Sequence, residues 1–144
     1  MPVFHAHVPA GRLTGSEKRG LADGLNLALH EALGTPMEDR FIVISEHGED
    51  ELFLHPTFPD LQRSARAVVI TVTLGAERTV EKKRRLAELV TRYAVEKAGL
   101  GQDDVCFMMY DVPLESMSFG GGKLLSDIDV PMPWVKQPGA TAGG

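Results

Sequence analysis

Lys18-Arg19-Gly20-Leu21-Ala22-Asp23 and Lys83-Arg84-Arg85-Leu86-Ala87-Glu88 are one short phrase written twice, 65 positions apart. The correspondence continues beyond them. At the same spacing Glu31 falls on Glu96, Gly34 on Gly99 and Asp39 on Asp104, and Phe41-Ile42-Val43-Ile44 overlays Cys106-Phe107-Met108-Met109. Two copies are too few for a solenoid, so the repeat reads as a duplicated domain.

Each copy reads strand, helix, strand. In the first, Val3 to Val8 is extended and Pro9-Ala10-Gly11 breaks it. Thr14 and Glu17 have the spacing of a capping box, so a helix starts there. Leu21, Leu25, Ala28, Leu29 and Ala32 recur at helical spacing, Gly34 supplies the stop, and Arg40 to Ser45 forms the second strand. In the second copy Ala67 to Thr73 is a β-branched run suited to a buried strand. Leu86, Leu89, Val90, Tyr93, Ala94 and Ala98 make the helix stripe, Gly99 ends it, and Val105 to Val112 closes the unit.

A strand, crossover helix and strand make a right-handed parallel unit. Two units joined edge to edge give an α/β fold (α+β in some schemes): duplicated βαβ units in a four-stranded sheet with two helices on one face. The other face is then bare and carries apolar residues, which a symmetric oligomer would cover. We therefore expect a single domain over 1–130, with repeats at about 2–46 and 67–112 and a C-terminal hairpin. Glu46 to Arg66, with Gly48, Pro56 and Pro59, is the connection. Residues 131–144 read as a mobile tail that Trp134 could pin to a neighbour.

The 144 residues are 43% hydrophobic and 24% charged, as for one compact soluble domain. A net charge of −5 and the lack of a basic run with interleaved aromatics argue against nucleic acid. No apolar run is long enough for a membrane, and no secretory pattern opens the chain. The single Cys106 excludes an internal disulfide and fits a reducing cytoplasm.

Pro2 directly follows Met1. Aminopeptidases readily remove a methionine before so small a residue, which leaves a secondary amine at the start of a strand. An α-amino group titrates at about pH 8. Proline's amine is more basic, and burial or nearby cations bring it down towards the range useful for moving protons at carbon.

The Pro after Met, the two βαβ units and Gly11-Arg12 before the first helix resemble the tautomerase superfamily (tautomerase/MIF-like fold). The second copy is similar to a 4-oxalocrotonate tautomerase subunit, through Arg78-Thr79-Val80-Glu81-Lys82-Lys83 and the glycine-rich Ser118-Phe119-Gly120-Gly121-Gly122-Lys123-Leu124. Gly34-Thr35-Pro36-Met37-Glu38-Asp39-Arg40-Phe41 and Ser45-Glu46-His47 resemble the malonate semialdehyde decarboxylase-like branch more closely. The resemblance covers about the first 125 residues.

It implies a homotrimer, no cofactor, a small carboxylic-acid substrate and Pro2 as general base or acid. Position by position it makes Asp39 the acidic partner of the proline. Arg78 and Arg12, at the two helix entrances, hold substrate carboxylates, and Phe119 lines the pocket. The decarboxylase branch has a close arginine pair where this chain reads Leu74-Gly75-Ala76-Glu77-Arg78, with one arginine only. The branch associated with cis-3-chloroacrylate dehalogenation has a first-helix histidine where this chain has Leu29, and His30 is turned about 100° away.

The expected activity is therefore cofactor-independent keto–enol tautomerisation of a small 2-oxo acid or its enol. Decarboxylation or hydration of a three-carbon acid, or a non-catalytic ligand-binding trimer, are the alternatives. Asp39 and Asp104 share a repeat position that also suits turn capping. His5 and His7 point to one face of the first strand and would need His47 or His55 to complete a metal site, so they read as core or interface histidines. Gly120-Gly121-Gly122-Lys123 lacks phosphate-loop spacing, and no dinucleotide fingerprint is present.

Overall fold

The computed structural model describes residues 2–129. The expectations for Met1, for 131–144 and for Trp134 lie outside them. Four strands and two long helices follow one another as β1 (Val3–Pro9), α1 (Gly15–Leu33), β2 (Ile42–His47), β3 (Val68–Leu74), α2 (Val80–Ala98) and β4 (Val105–Asp111). The sheet order is β2-β1-β3-β4. β1 pairs parallel with β2, β3 parallel with β4, and β1 antiparallel with β3, so two βαβ units meet along their first strands.

The helices begin and end where the residues dictate. The Thr14 side chain accepts the Glu17 N–H at 3.0 Å and the Glu17 carboxylate accepts the Thr14 N–H at 2.9 Å, a closed capping box. Thr79 caps α2 by accepting the Lys82 N–H, without a reciprocal acceptor, and Gly34 and Gly99 end the helices in the left-handed conformation. The helices are thus related by the expected 65 positions.

The strands are not. Phe4 and Ile70 are the fully buried equivalents, paired with Ile42 and Phe107 respectively, so β1 and β3 are 66 positions apart. The path from strand to helix is one residue shorter in the second copy. Leu13, buried, precedes the first cap, and Arg78 stands directly before the second.

Alternation divides the sheet cleanly. Phe4, Ala6 and Val8 of β1 and Val68, Ile70, Val72 and Leu74 of β3 are buried against Leu21, Leu25 and Leu29 of α1 and Leu86, Leu89 and Val90 of α2. Both helices therefore cover one face. They approach closely because Gly20 and Gly24 of α1 lie against the Lys97 carbonyl and Tyr93 of α2. The opposite face is bare in the single chain and carries half-exposed Val43, Met108 and Tyr110 beside His5 and His7.

The glycine-rich C-terminal segment departs from expectation. It forms no strand pair among the described residues. Gly120, Gly121 and Gly122 all have positive φ, a turning backbone that cannot present a ladder. The loop is closed by the Leu125 N–H on the Met117 carbonyl at 2.8 Å, and its Met117, Phe119 and Leu125 form a small cluster with Val112 and Leu114.

Candidate active site

Pro2 is buried at the mouth of β1. The Phe4 N–H donates to the Phe41 carbonyl at 2.9 Å, and Val3 pairs with Thr73, so the lead into β2 and the end of β3 flank the proline. The chain leaving β3 passes through Gly75 and Ala76 to Arg78. Antiparallel pairing of β1 and β3 thus brings Pro2 and Arg78, far apart in sequence, to the same end of the sheet.

Arg78 is the most unusual side chain there. Nη1 donates to its near neighbour's carbonyl, that of Ala76, at 2.6 Å. Nε and Nη2 are buried and have no hydrogen-bond partner. Burial pulls the guanidinium below its ordinary pKa, and the negative Asp111 opposes that. Asp111 itself is taken up in an ion pair with Lys83. An arginine stays charged at any ordinary pH, so the N–H groups on Nε and Nη2 are buried donors that lack an acceptor, the kind of group a carboxylate satisfies.

The loop from Gly34 to Phe41 forms a second wall. Buried Asn26 donates to the Met37 carbonyl at 2.8 Å, His30 Nδ1 donates to the Thr35 carbonyl at 2.9 Å, and Arg40 pairs with Asp23 of α1 at 2.7 Å. These ties fix the loop while the half-buried Asp39 keeps a carboxylate with no hydrogen-bond or ion-pair partner among the described residues. Its repeat mate Asp104 behaves differently, being buried and spent on Ser64. Phe119 reaches the same region, its ring 4.8 Å from that of Phe41. Phe41 was legible only as a member of a motif. It is partly exposed at the mouth of β2, and Asn26 and Arg40 anchor the loop that leads to it.

Arg12 does not join this group. It is exposed beyond the far end of β1, which at roughly 3.3 Å per residue puts about 23 Å between it and Pro2. A cleft of about 290 Å³ lies there instead, with Arg12, His47 and Glu49 on its walls.

His5 and His7 stack on the bare face with ring centroids 4.0 Å apart. His5 bonds the Ser45 hydroxyl at 2.7 Å, and His7 Nδ1 meets His47 Nε2 directly at 2.8 Å. Burial, then the neighbouring His5 and His47, lowers the His7 pKa. Nitrogens that close on each other do not converge on a common point, and among the described residues no group of three or more His, Cys, Asp or Glu is arranged around an ion. His55 is elsewhere, accepting the N–H groups of Thr57 and Phe58.

Residues 39–120 match the tautomerase enzyme family. The chain belongs to that family. A probable tautomerase, YusQ of Bacillus subtilis (strain 168), is 27% identical over 123 residues, 85% of this chain and 96% of that protein. Among solved structures, this tautomerase-family chain is similar to a malonate semialdehyde decarboxylase with decarboxylase and hydratase activities, at 28% identity and a TM-score of 0.77 over 84% of this chain and 92% of the other. It is also similar to the FG41 malonate semialdehyde decarboxylase inhibited by 3-bromopropiolate, at 26% identity and a TM-score of 0.79 over 90% and 99%. A fused 4-OT symmetric trimer shares the fold, at 22% identity and a TM-score of 0.72 over 86% and 96%. No helix among the described residues is long and apolar enough to cross a membrane.

Proposed function

We propose that this tautomerase-family enzyme interconverts the enol and keto forms of a small 2-oxo acid, with Pro2 as its base and acid once Met1 is removed. The observation that carries this reading is the buried Arg78 guanidinium, with two unpartnered donors, at the sheet end where Pro2 begins β1. A carboxylate seated on Arg78 places the adjoining carbons towards the proline. The neutral amine takes the enol O–H proton, the C–O bond becomes a carbonyl, and the resulting ammonium returns the proton to C3. Atoms balance without an added reagent or cofactor. The cation beside the amine favours its neutral form and stabilises the enolate charge between the two transfers. Phe41 and Phe119 provide an apolar wall that strengthens both effects.

The half-exposed Val43, Met108 and Tyr110 on the bare sheet face support a homotrimer, in which neighbouring copies complete the pocket. A cytoplasmic enzyme is part of this reading, supported by the lone Cys106, which fits a reducing compartment. The domain bounds of 1–130 belong to the same proposal.

The test is ketonisation of phenylenolpyruvate by protein confirmed by intact mass to begin at Pro2. Wild type should turn over and Pro2→Ala should lose at least a hundredfold. Equal rates in the two would end the proposal.

A second reading is favoured by the unpartnered Asp39 carboxylate and by the similarity to malonate semialdehyde decarboxylases. A protonated Pro2 would polarise the substrate carbonyl while Asp39 orients water or assists loss of carbon dioxide. Release of carbon dioxide from a 3-oxo acid, abolished by Asp39→Asn but with ketonisation intact, would select it. Failure of every such assay, with normal assembly, would leave a ligand-binding trimer.

A further inference from the structure

The duplication gives the sheet two chemically similar ends, and only one has been used so far. A two-fold relation between the units exchanges Phe4 with Ile70 and brings Pro2 onto Val68. Val68 is an internal residue, so its nitrogen is a peptide amide with no basic lone pair. By the same strand shift Arg78 overlays Arg12, whereas counted back from the helix cap it overlays Leu13. The far end thus keeps the arginine of the catalytic end and lacks its base.

That end is a formed cleft. Its volume is about 290 Å³, and Pro9, Leu52 and Leu54 give it an apolar floor beside Arg12 and His47. Arg12 enters no ion pair or side-chain hydrogen bond among the described residues. Glu49 is the one acidic group on the wall. The connection between β2 and β3 closes the cleft, with Gly48, Ser64 and Ala67 on its wall. Arg66 fastens it by donating to the Arg12 and Gly99 carbonyls at 3.1 and 2.7 Å and by pairing with Glu17 at 2.6 Å.

We infer that this cleft is a second, non-catalytic binding site for a short carboxylic acid, its carboxylate on Arg12, its carbon body on Leu52 and Leu54, and its neighbouring oxygen towards His47. A guanidinium recognises a carboxylate through paired N–H donors, and a small apolar floor accepts two or three carbons but no polar chain. The residue that overlays Pro2 there is Val68, whose peptide nitrogen cannot take up a proton, so proline-type proton transfer is missing from this site. The site stands whether or not Pro2 is catalytic.

The test is a titration of the isotope-labelled protein with pyruvate, followed by amide NMR. Ala10, Gly48, Glu49 and Ala65 should shift along one isotherm, separate from that of Gly75 and Ala76 at the catalytic end. Arg12→Gln should weaken the first isotherm at least tenfold and leave the second in place, whereas Glu49→Gln should tighten the first. The Arg12 carbonyl that Arg66 holds is retained in the variant, so the connection stays anchored. Shifts confined to Gly75 and Ala76, a first isotherm unmoved by Arg12→Gln, or equal binding of uncharged pyruvamide would each overturn the inference.

Discussion

Ser64 gives both its N–H and its hydroxyl proton to the buried carboxylate of Asp104, each at 2.6 Å. One residue earlier, Asp103 accepts the Gln62 N–H at 2.9 Å, so the head of β4 holds the long connection in place. Asp39 occupies the matching place in the first repeat with no such duty. Asp104→Ala should therefore cost about 2–3 kcal/mol of stability, the worth of hydrogen bonds to a charged acceptor. Asp39→Ala should cost under about 0.5 kcal/mol, as at an unengaged site. Urea denaturation of the two variants checks the contrast, and similar losses would show that Asp39 is structural too.

Arg78 should trade stability for function. Its buried N–H groups lack acceptors, and leaving such donors unmade is unfavourable. Arg78→Met keeps the length and removes the donors. We expect it to raise stability by about 1 kcal/mol while raising KM for an enol acid at least tenfold. A variant that is both less stable and less active would mean the guanidinium serves packing.

Glycine within a helix normally costs about 1 kcal/mol against alanine, so Gly20→Ala ought to stabilise α1. The close crossing reverses the sign. A Cβ there would lie 1.9 Å from the Lys97 carbonyl oxygen, and one at Gly24 would lie 2.8 Å from Tyr93 Cβ. Gly20→Ala should instead lose about 3 kcal/mol as the helices are forced apart. A melting temperature at or above wild type would contradict the packing.

The histidines of the bare face set a pH dependence. The lowered His7 pKa means the unfolded chain binds a proton more readily than the folded one. Stability should therefore fall as pH drops below the unfolded value of about 6.5, and level off below the folded value. His5 and His47 face the ring from β1 and β2, while β3 offers Val69 and Thr71, so among the described residues no carboxylate acts on His7 to reverse the sign. His7→Asn should flatten the slope of melting temperature between pH 7 and 5. An unchanged slope would place the titration elsewhere.

The fold was readable because helix signals are local. Thr14, Glu17 and Gly34 declare the first helix, the stripe from Leu86 to Ala98 and Gly99 declare the second, and alternation declares the faces. Leu29 is buried and His30 exposed, as the turn of one residue requires. What escaped is set by pairing between distant segments. Nothing local places Arg12 and Arg78 at opposite ends of the sheet, since that follows from antiparallel β1 and β3. Likewise the different fates of Asp39 and Asp104 depend on Ser64, a residue of the connection rather than of either repeat. The glycine segment misled because Gly120 to Gly122 suit a hairpin turn and an open loop equally well.

The missing residue between β3 and α2 makes the two halves unequal in kind. In the first half, the position before the helix cap is filled by Leu13, and the arginine one step earlier falls into water. In the second, one residue shorter, the position before the cap is Arg78 itself, and its Nε and Nη2 are buried. A single lost codon would thus convert a solvated arginine into a desolvated one without altering any strand or helix. Selection acting on such a chain could gain a charged pocket by shortening the backbone and introducing no new side chain.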